Sequence, residues 1–302
     1  MKTLTQPVTA RNLTAWFISV PLGKESTEYT VLEEAMEKQA GLLHETGDVN
    51  ELLIENPGEI DLFIQAGDIV KGGRQDRTLG ADFIVPAKSG KVPVPVFCVE
   101  ASRWHKRRSE SDVFFSKSSE FTASKKLRAA VRSSKNQGMV WESVKEEQQK
   151  MSAALGEDVA SAESPSSLQL SYEKQEGALE DYLRIFETVP SAEAAGVVWA
   201  INGKLSHADI YSNPALFKKV WKKLLRAAAF EAIGEQSQPA NGQPRDIAEV
   251  SAWLDESLTV APEVENLPPR THLSTRRAKS QLRFETRDTA FVEPIHLSIL
   301  AQ

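Results

Sequence analysis

The sequence contains a single cysteine, Cys98, among its 302 residues. One cysteine excludes an intramolecular disulfide framework and a zinc site made of several cysteines. The five histidines are scattered, without an HExxH or HxH pairing, so we assign no metal site. Walker-type GxxxxGKS/T, GxGxxG and GxSxG motifs are also missing, and the sequence therefore names neither a cofactor nor a reaction.

Charge and hydropathy argue against two further classes of protein. No apolar run approaches the length of about 20 residues that a membrane-spanning helix needs, so we expect no membrane association. The formal net charge of −6 argues against general nucleic-acid binding, because such binding relies on a basic surface. The apolar stretch over residues 15–22 is too short and too interrupted for a secretory signal. We therefore expect a cytoplasmic protein.

The first hundred residues predict a β-rich core. Apolar runs over residues 51–54 and 60–64 flank an Asn-Pro-Gly turn, which predicts a hairpin. Runs over residues 83–85 and 92–99, on either side of a Ser-Gly turn, predict a second hairpin. Prolines within the last run indicate an edge or bulged strand. Two successive hairpins favour a β-sandwich or a small barrel.

The rest of the chain combines helices with one hairpin and late strands. Helical periodicity is present over residues 30–39, 124–133, 140–154, 172–189, 213–233 and 247–254. Asn202-Gly203 predicts a two-residue hairpin turn, and Asn213 predicts a helix start. Strands are predicted over residues 280–286 and 289–300. We therefore expect an α+β fold, with helices packed outside a β-rich core, in a single domain spanning residues 10–302.

Three segments are predicted to be flexible insertions, near residues 106–135, 156–171 and 236–244. The first contains nine Lys and Arg against three acidic residues. It is either a mobile surface segment that ends in a helix or a positive wall beside a site for an anionic ligand.

A loop dense in polar residues lies between the two predicted hairpins. It consists of Lys71, Gly72, Gly73, Arg74, Gln75, Asp76, Arg77 and Thr78. Paired glycines allow a positive φ and close approach of the backbone to a ligand, and arginines offer planar donor forks suited to phosphate or carboxylate. The loop therefore predicts either an anion-binding site or a buried network of salt bridges.

A second polar cluster follows the strand predicted over residues 92–99. It contains Cys98, Glu100, Arg103 and Trp104. Because side chains alternate along a strand, Cys98 and Glu100 share a face. Glu100 could hold an arginine of the first loop in place or act as a general base. Nothing close in sequence to Cys98 lowers its thiol pKa, so we expect an inert buried thiol.

Four segments together resemble a known family. They are AGDIVKGGRQDRT at residues 66–78, PVPVFCVEASRW at 93–104, QGMVWESV at 137–144 and WAINGKLSHADIYSNPALFKKVWKKLL at 199–225. Over residues 10–300 the chain is similar to the ARG and Rhodanese-Phosphatase-superfamily-associated domain family, a domain of unknown function. Ala101 and Ser102 stand where this resemblance places a Gln-Gly pair. The family name implies genomic association with ADP-ribosylglycohydrolases and rhodanese-phosphatase enzymes, and hence an ADP-ribose-like or nucleotide ligand.

The leading hypothesis is a protein that binds or processes a phosphorylated ribose or nucleotide metabolite, with enzymatic activity left open. The residues assigned to this anionic ligand are Lys71, Gly72, Gly73, Arg74, Gln75, Asp76, Arg77, Arg103 and Trp104. Glu100 is the candidate catalytic base. The alternative is a non-catalytic accessory or interaction protein, in which the loop is a structural salt-bridge network and the basic segment docks an acidic protein partner.

Overall fold

The computed structural model describes residues 3–19, 27–100, 111, 114–155, 176–186, 190–236 and 245–302. The chain divides into two compact units: unit 1 holds Met1–Glu28 with Ala178–Gln302, and unit 2 holds Tyr29–Gly177. A single domain over residues 10–302 stays a prediction. The insertions predicted near 156–171 and 236–244 lie outside the described residues, apart from Gln236.

The described residues form eighteen strands and six α-helices. The strands are β1 (Thr3–Leu4), β2 (Val8–Ala10), β3 (Leu13–Ser19), β4 (Thr30–Val31), β5 (Leu42–Glu45), β6 (Glu51–Asn56), β7 (Leu62–Ile64), β8 (Asp68–Gly72), β9 (Arg77–Leu79), β10 (Phe83–Val85), β11 (Ser89–Cys98), β12 (Phe115–Thr122), β13 (Ala194–Ile201), β14 (Lys204–Tyr211), β15 (Glu263–Leu267), β16 (Thr271–Arg277), β17 (Gln281–Asp288) and β18 (Pro294–Ala301). The helices are α1 (Leu32–Glu37), α2 (Lys125–Ala129), α3 (Gln137–Leu155), α4 (Glu176–Phe186), α5 (Pro214–Gly234) and α6 (Ile247–Asp255). A π-helical turn (Ala130–Ser134) follows α2, and a 3-10 turn (Glu256–Thr259) follows α6.

Unit 1 is built on a nine-stranded antiparallel sheet. Its strand order is β1-β3-β13-β14-β18-β17-β16-β15, with β2 paired to β3. The predicted hairpin between β13 and β14 is confirmed, with Asn202 at φ 51° and Gly203 at φ 76°. These positive φ values are those of a type I′ turn, which Asn-Gly adopts with little strain. The two turn residues therefore favour the pairing of β13 with β14 near the centre of this sheet.

Helices cover the two faces of the sheet in unit 1. On one face, Trp16, Val198 and Ile210 pack with Val250 and Leu254 of α6 in a buried apolar cluster. Burial of this kind stabilises the fold by about 25 cal/mol per Å² of apolar area removed from water.

The opposite face of this sheet packs against α5 through aromatic rings. Trp199 of β13 stacks on Trp221 of α5 at 5.7 Å between ring centroids, and Phe17 meets Trp221 edge-on at 5.3 Å. The predicted start of this helix is confirmed, because the side chain of Asn213 accepts a hydrogen bond from the backbone N–H of Leu216 at 2.9 Å. The α+β class with helices outside a β-rich core is therefore confirmed.

Unit 2 contains a six-stranded sheet and a three-stranded one. The larger sheet has the order β12-β8-β9-β11-β6-β5, and the smaller one has the order β10-β7-β4. The larger sheet curls until its two edge strands approach each other at an antiparallel bridge between His44 and Phe114. Curling of this kind brings the inward side chains of distant strands together, as in a small barrel.

The two hairpins predicted in the first hundred residues are wrong. β6 pairs with β11 rather than with β7, and β7 pairs with β10. The β7–β10 pair is therefore nested within the β6–β11 pair, and the chain crosses between the two sheets four times, after β6, β7, β9 and β10. The first and last crossings meet at one corner, where Lys88 N donates to the carbonyl of Gly58 at 3.0 Å. Buried Asn56 holds this corner by donating hydrogen bonds to the carbonyls of Ile60 and Val85, both at 3.0 Å. Each of these pairs joins strands that are far apart in the sequence, so the sequence of a nearby turn does not predict it.

The prolines of β11 predicted an edge or a bulged strand; the bulge is confirmed, whereas β11 is not an edge strand, because it lies between β9 and β6. The register of β11 against β6 shifts between Ser89 and Val92. Pro93 and Pro95 lie in the half of β11 that pairs with β6, whereas β9 pairs with Val96–Cys98. Proline has no N–H to donate. In this half of β11 a strand is paired on one side only, so no strand-to-strand hydrogen bond is lost if the proline nitrogens face the other side.

The described part of the basic segment, residues 111 and 114–135, is largely regular structure. Residues 115–122 form β12, which pairs with β8, and the helix predicted over 124–133 is present as α2 and the π-helical turn. Arg132 lies inside unit 2, where its side chain is 5% exposed and 3.6 Å from the carboxylate of Asp82.

Among the described residues of the whole chain, no helix combines the length and apolar character needed to cross a membrane.

Candidate functional site

The two polar clusters meet inside unit 2. The loop between β8 and β9 reaches the end of β11, because Cys98 pairs with Arg77 and Phe97 with Thr78. The backbone N–H of Val99 also donates to the carbonyl of Asp76 at 3.2 Å. The structure therefore brings most of the predicted site residues into one neighbourhood.

The paired glycines give the loop its tight backbone path. Gly72 has φ 127° and Gly73 has φ 57°, and the N–H of Gly72 donates to the Asp76 carboxylate at 3.3 Å. A Cβ on Gly73 would lie 2.8 Å from Glu45 Oε2 and 2.8 Å from a ring carbon of Phe115. The close approach that glycine permits here is to other residues of the same protein.

Arg77 is the centre of the buried network. Its side chain is fully buried, and Nη2 lies 3.6 Å from Glu45 Oε1 of β5. Nη1 donates to Gln75 Oε1 at 3.0 Å and to Cys98 Sγ at 2.8 Å. An arginine fork held by groups from three segments is fixed in orientation as well as in position.

Glu45 is a member of the site that the sequence analysis missed. Its carboxylate accepts a hydrogen bond from the backbone N–H of Arg74 at 3.3 Å and another from Gly47 N at 3.4 Å. Together with the ion pair to Arg77, these contacts place an internal carboxylate at the glycine-rich loop. Glu45 is 29 positions from Arg74, and no local pattern marks it.

Gln75, Asp76 and Glu100 join the loop to the end of β11. Gln75 Nε2 donates to the backbone carbonyl of Glu100 at 2.9 Å, and the N–H of Asp76 lies 3.5 Å from Glu100 Oε2. All three residues are buried, with Glu100 1% exposed. Glu100 therefore contacts the first loop through the Asp76 amide, and the predicted pairing of Glu100 with an arginine of that loop stays a prediction. The role of Glu100 as a general base also stays a prediction.

The remaining predicted ligand residues are Lys71, Arg74, Arg103 and Trp104. Arg74 is exposed at the loop, and Lys71 of β8 is half-buried. Arg103 and Trp104 lie outside the described residues. Arg74 and Lys71 are therefore the described cations of this loop that solvent reaches.

Cys98 is buried in the network, and its thiol is kept neutral. Burial raises the pKa of the Cys98 thiol above its ordinary value of 9.0, and the Glu45 carboxylate raises it further, whereas the Arg77 guanidinium acts in the opposite direction. The net direction is upward because desolvation of the thiolate is the larger effect. A neutral thiol is a poor nucleophile, which agrees with the expectation of an inert cysteine.

Gln137, at the start of α3, is a second residue that the sequence analysis missed. Its side-chain amide accepts from the backbone N–H of Cys98 and donates to the Cys98 carbonyl, both at 2.8 Å. The amide thus bonds to β11 as a neighbouring strand would. Gln137 opens the QGMVWESV segment used for the family resemblance, so that resemblance was the one signal that pointed to it.

A second buried polar pair lies in unit 1. His296 Nε2 of β18 is 3.2 Å from Asp209 Oδ1 of β14, and the His296 ring stacks on Tyr211 at 4.5 Å. All three side chains are buried, on the face of the sheet that packs against α5. In the described part of the chain, no cluster of three or more His, Cys, Asp and Glu side chains has the arrangement of a metal site.

The buried network is assembled from segments that the family resemblance also groups. Arg77 belongs to the first of these segments, Cys98 to the second and Gln137 to the third. A comparison with protein-family models matches residues 2–298 to the ARG and Rhodanese-Phosphatase-superfamily-associated Protein domain, ARPP-1. Comparisons with curated proteins and with solved structures found no match. Since the family match spans almost the whole chain, this protein belongs to the ARG and Rhodanese-Phosphatase-superfamily-associated Protein domain family.

Proposed function

We propose that this protein is a non-catalytic accessory or interaction protein, in which the loop over residues 71–78 is a structural salt-bridge network. The observation that carries the proposal is the fully buried Arg77, held between the Glu45 carboxylate at 3.6 Å and Gln75 at 3.0 Å. A guanidinium used in this way orders the fold and has no exposed fork for an external phosphate.

The position of Glu45 supports the same proposal. Its carboxylate already accepts from the Arg74 amide, which is the kind of donor that a bound phosphate would use. A phosphate placed at this amide would lie against a carboxylate, and two like charges at close range repel each other strongly in a buried site. The Glu45 carboxylate is therefore already bound at the loop amide that a phosphate would use.

A thermal-shift panel tests this function. Purified protein is heated with ADP-ribose, NAD, nucleotides or sugar phosphates, and we expect no rise in Tm with any of them. The matched variants are Arg77→Ala, which should lower Tm, and Arg74→Ala, which should leave it unchanged. A ligand-specific rise in Tm that disappears in Arg74→Ala would overturn the proposal.

A second candidate is binding of a phosphorylated ribose or nucleotide metabolite, such as an ADP-ribose-like ligand. The observation that favours it is the exposure of Arg74, next to half-buried Lys71, on the same loop. In this candidate the two cations contact phosphate, Arg103 and Trp104 complete the site, and Glu100 is the base. The association recorded in the family name with ARG and rhodanese-phosphatase proteins is consistent with such a ligand.

The two candidates differ in one measurable respect. If the metabolite is bound, Arg74→Ala and Lys71→Ala should each abolish the ligand-dependent shift, measured against the Tm of the same variant without ligand. Under the accessory function, no ligand-dependent shift exists to be abolished. A cytoplasmic location is part of both proposals and is tested by fractionation of cells that produce the protein.

A further inference from the structure

The nine-stranded sheet of unit 1 ends in an exposed edge strand, β15. Within the described ranges of the chain, β15 is the last strand in the order and pairs with β16 alone. Residues 263–266 are all exposed, and the Val264 side chain is 56% exposed. An edge strand leaves the outward N–H and C=O groups of alternate residues without a strand partner.

β15 lacks two of the features that usually blunt a sheet edge, a bulge and an internal proline. Its register against β16 runs without a shift from Glu263 opposite Thr275 to Leu267 opposite Thr271, so it contains no bulge. It contains no proline, although Pro262 and Pro268 flank it. A regular five-residue edge of this kind can accept an added strand through main-chain hydrogen bonds.

The charges on β15 disfavour two of the registers in which a second copy of the chain could pair with it. In a two-fold antiparallel pair centred on Val264, Glu263 of each copy would face Glu265 of the other. If the pair were centred on Glu265, the two copies of that residue would face each other. Like charges directly opposite each other across a strand pair are destabilising, so both registers are unfavourable.

The same charges specify the chemistry of a partner strand. Glu263 and Glu265 point to one face and Val264 to the other, because side chains alternate along a strand. Glu263 lies 3.4 Å from Arg277, but its side chain is 70% exposed, so the ion pair contributes little and leaves the carboxylate within reach of a further cation. An added strand with a cation opposite each glutamate and an apolar residue between them would complement this edge.

Exposed apolar side chains lie at the same end of the sheet as the turn after β15. The turn after β17 lies beside the turn after β15, since the N–H of Thr289 donates to the carbonyl of Arg270 at 2.9 Å. That turn carries Phe291 and Val292, which are 45% and 83% exposed.

We propose that β15 is the docking edge for an extended segment of a partner protein that carries Lys or Arg at alternate positions with apolar residues between them. This inference rests on the proposed interaction function, for which it names the partner chemistry. It uses unit 1 residues only and is independent of the loop over residues 71–78.

The test uses the full chain and short labelled peptides in a fluorescence anisotropy titration. The probe alternates Lys and Val over six residues, the second peptide has N-methyl groups on alternate amides, and the third has Glu in place of Lys. We expect the first to bind, N-methylation to weaken it by about tenfold or more, and the Glu peptide to show no binding. N-methylation removes strand pairing but keeps the charges, so it separates docking at an edge from general attraction to an acidic protein.

Matched variants locate the binding. Glu265→Lys should weaken the Lys-Val peptide by about tenfold, whereas Glu180→Lys, the same change at an exposed position on α4, should not. Val264→Pro should also weaken binding, and its Tm shows whether the fold survives. If the N-methylated peptide binds equally well, or if Glu180→Lys has the same effect as Glu265→Lys, the inference is wrong.

Self-association is a further outcome of this test. A dimer seen by analytical ultracentrifugation in the wild type but lost in Val264→Pro would assign the edge to a second copy and overturn the inference. The proposed function fails on a different result, namely a ligand-dependent rise in Tm that requires Arg74.

Discussion

Glu45 of β5 and Arg77 of β9 form an ion pair at 3.6 Å, with side chains that are 4% and 0% exposed. The two strands do not neighbour each other in the six-stranded sheet. The pair therefore links distant parts of a curled sheet through its interior.

Arg77→Ala should destabilise the protein by about 3–5 kcal/mol, because it leaves the Glu45 carboxylate buried without its cation. The double variant Glu45→Leu/Arg77→Leu should recover much of this loss, since it removes both charges and keeps apolar volume. Urea denaturation measures the free energy of unfolding. Arg74→Ala is the exposed control and should change it by no more than about 0.5 kcal/mol. A loss of equal size in Arg74→Ala would contradict the structural role of Arg77.

Three glycine substitutions separate backbone strain from steric overlap. Gly73→Ala should lower stability by about 2–4 kcal/mol, because its φ is 57° and the new Cβ would meet Glu45 and Phe115 at 2.8 Å. Gly47→Ala, at φ 86° with open space around it, should show strain alone, about 1 kcal/mol. Gly90→Ala has neither problem and should be close to neutral. Equal effects at Gly73 and Gly47 would mean that the loop moves away from Glu45.

Cys98 should react slowly with thiol reagents in the native state. Burial raises its pKa, so at pH 8 little thiolate is present, and we expect modification at least about tenfold slower than in urea. The raised pKa also affects stability. Above pH 9.0, the ordinary pKa, the unfolded state loses the thiol proton first, so the free energy of unfolding falls as the pH rises. Cys98→Ala should remove this part of the slope, and an unchanged slope would contradict the assignment.

Asn213 should contribute about 1 kcal/mol as the N-cap of α5. Its side chain accepts from the Leu216 N–H at 2.9 Å, and Asn213→Ala leaves that donor without its cap. Asn213→Asp keeps the acceptor oxygen and should retain most of the stability. Thermal unfolding by circular dichroism compares the two variants, and an Asp variant as unstable as the Ala variant would refute the capping role.

Tyr182 of α4 should titrate at unusually high pH. Burial raises the pKa of its hydroxyl above the ordinary value of 10.0, while the hydrogen bond from Gln236 acts in the opposite direction. The hydroxyl donates to Asn12 Oδ1 and accepts from Gln236 Nε2, both at 2.7 Å. Tyr182→Phe should therefore lower stability by about 1–3 kcal/mol and remove one tyrosine step above pH 10.0 in an alkaline absorbance titration. If that step persists, another tyrosine is responsible for it.

Elements set by neighbouring residues were predictable from the sequence. The Asn202-Gly203 turn and the Asn213 cap are local, because their backbone geometry depends on the residues themselves. The helical periodicity of α5 predicted its buried face for the same reason. Strand pairing was predictable where a two-residue turn enforced it.

Pairing across long stretches of sequence was not predictable. The partners of β6 and β7 are set by burial of both strands in two different sheets, and the Asn-Pro-Gly turn between them is compatible with either outcome. β12 was missed because its sequence, FSKSSEFT, is polar and lacks the usual apolar alternation. At the candidate site, the loop and Glu100 were recognised as related, but Glu45 was not, since only the curl of the sheet brings it to Arg77.

The pairing of β3 with β13 has a consequence for synthesis of the protein. Six of the seven residues of β3 are buried, and Leu13 pairs with Ile201. At about 5–20 residues per second, a ribosome needs roughly 10–40 s to add the residues that separate these partners. During that interval an apolar strand has left the ribosome without the strand that covers it. β3 is therefore a segment that a nascent-chain chaperone has reason to shield, and slow translation before residue 194 should increase misfolding.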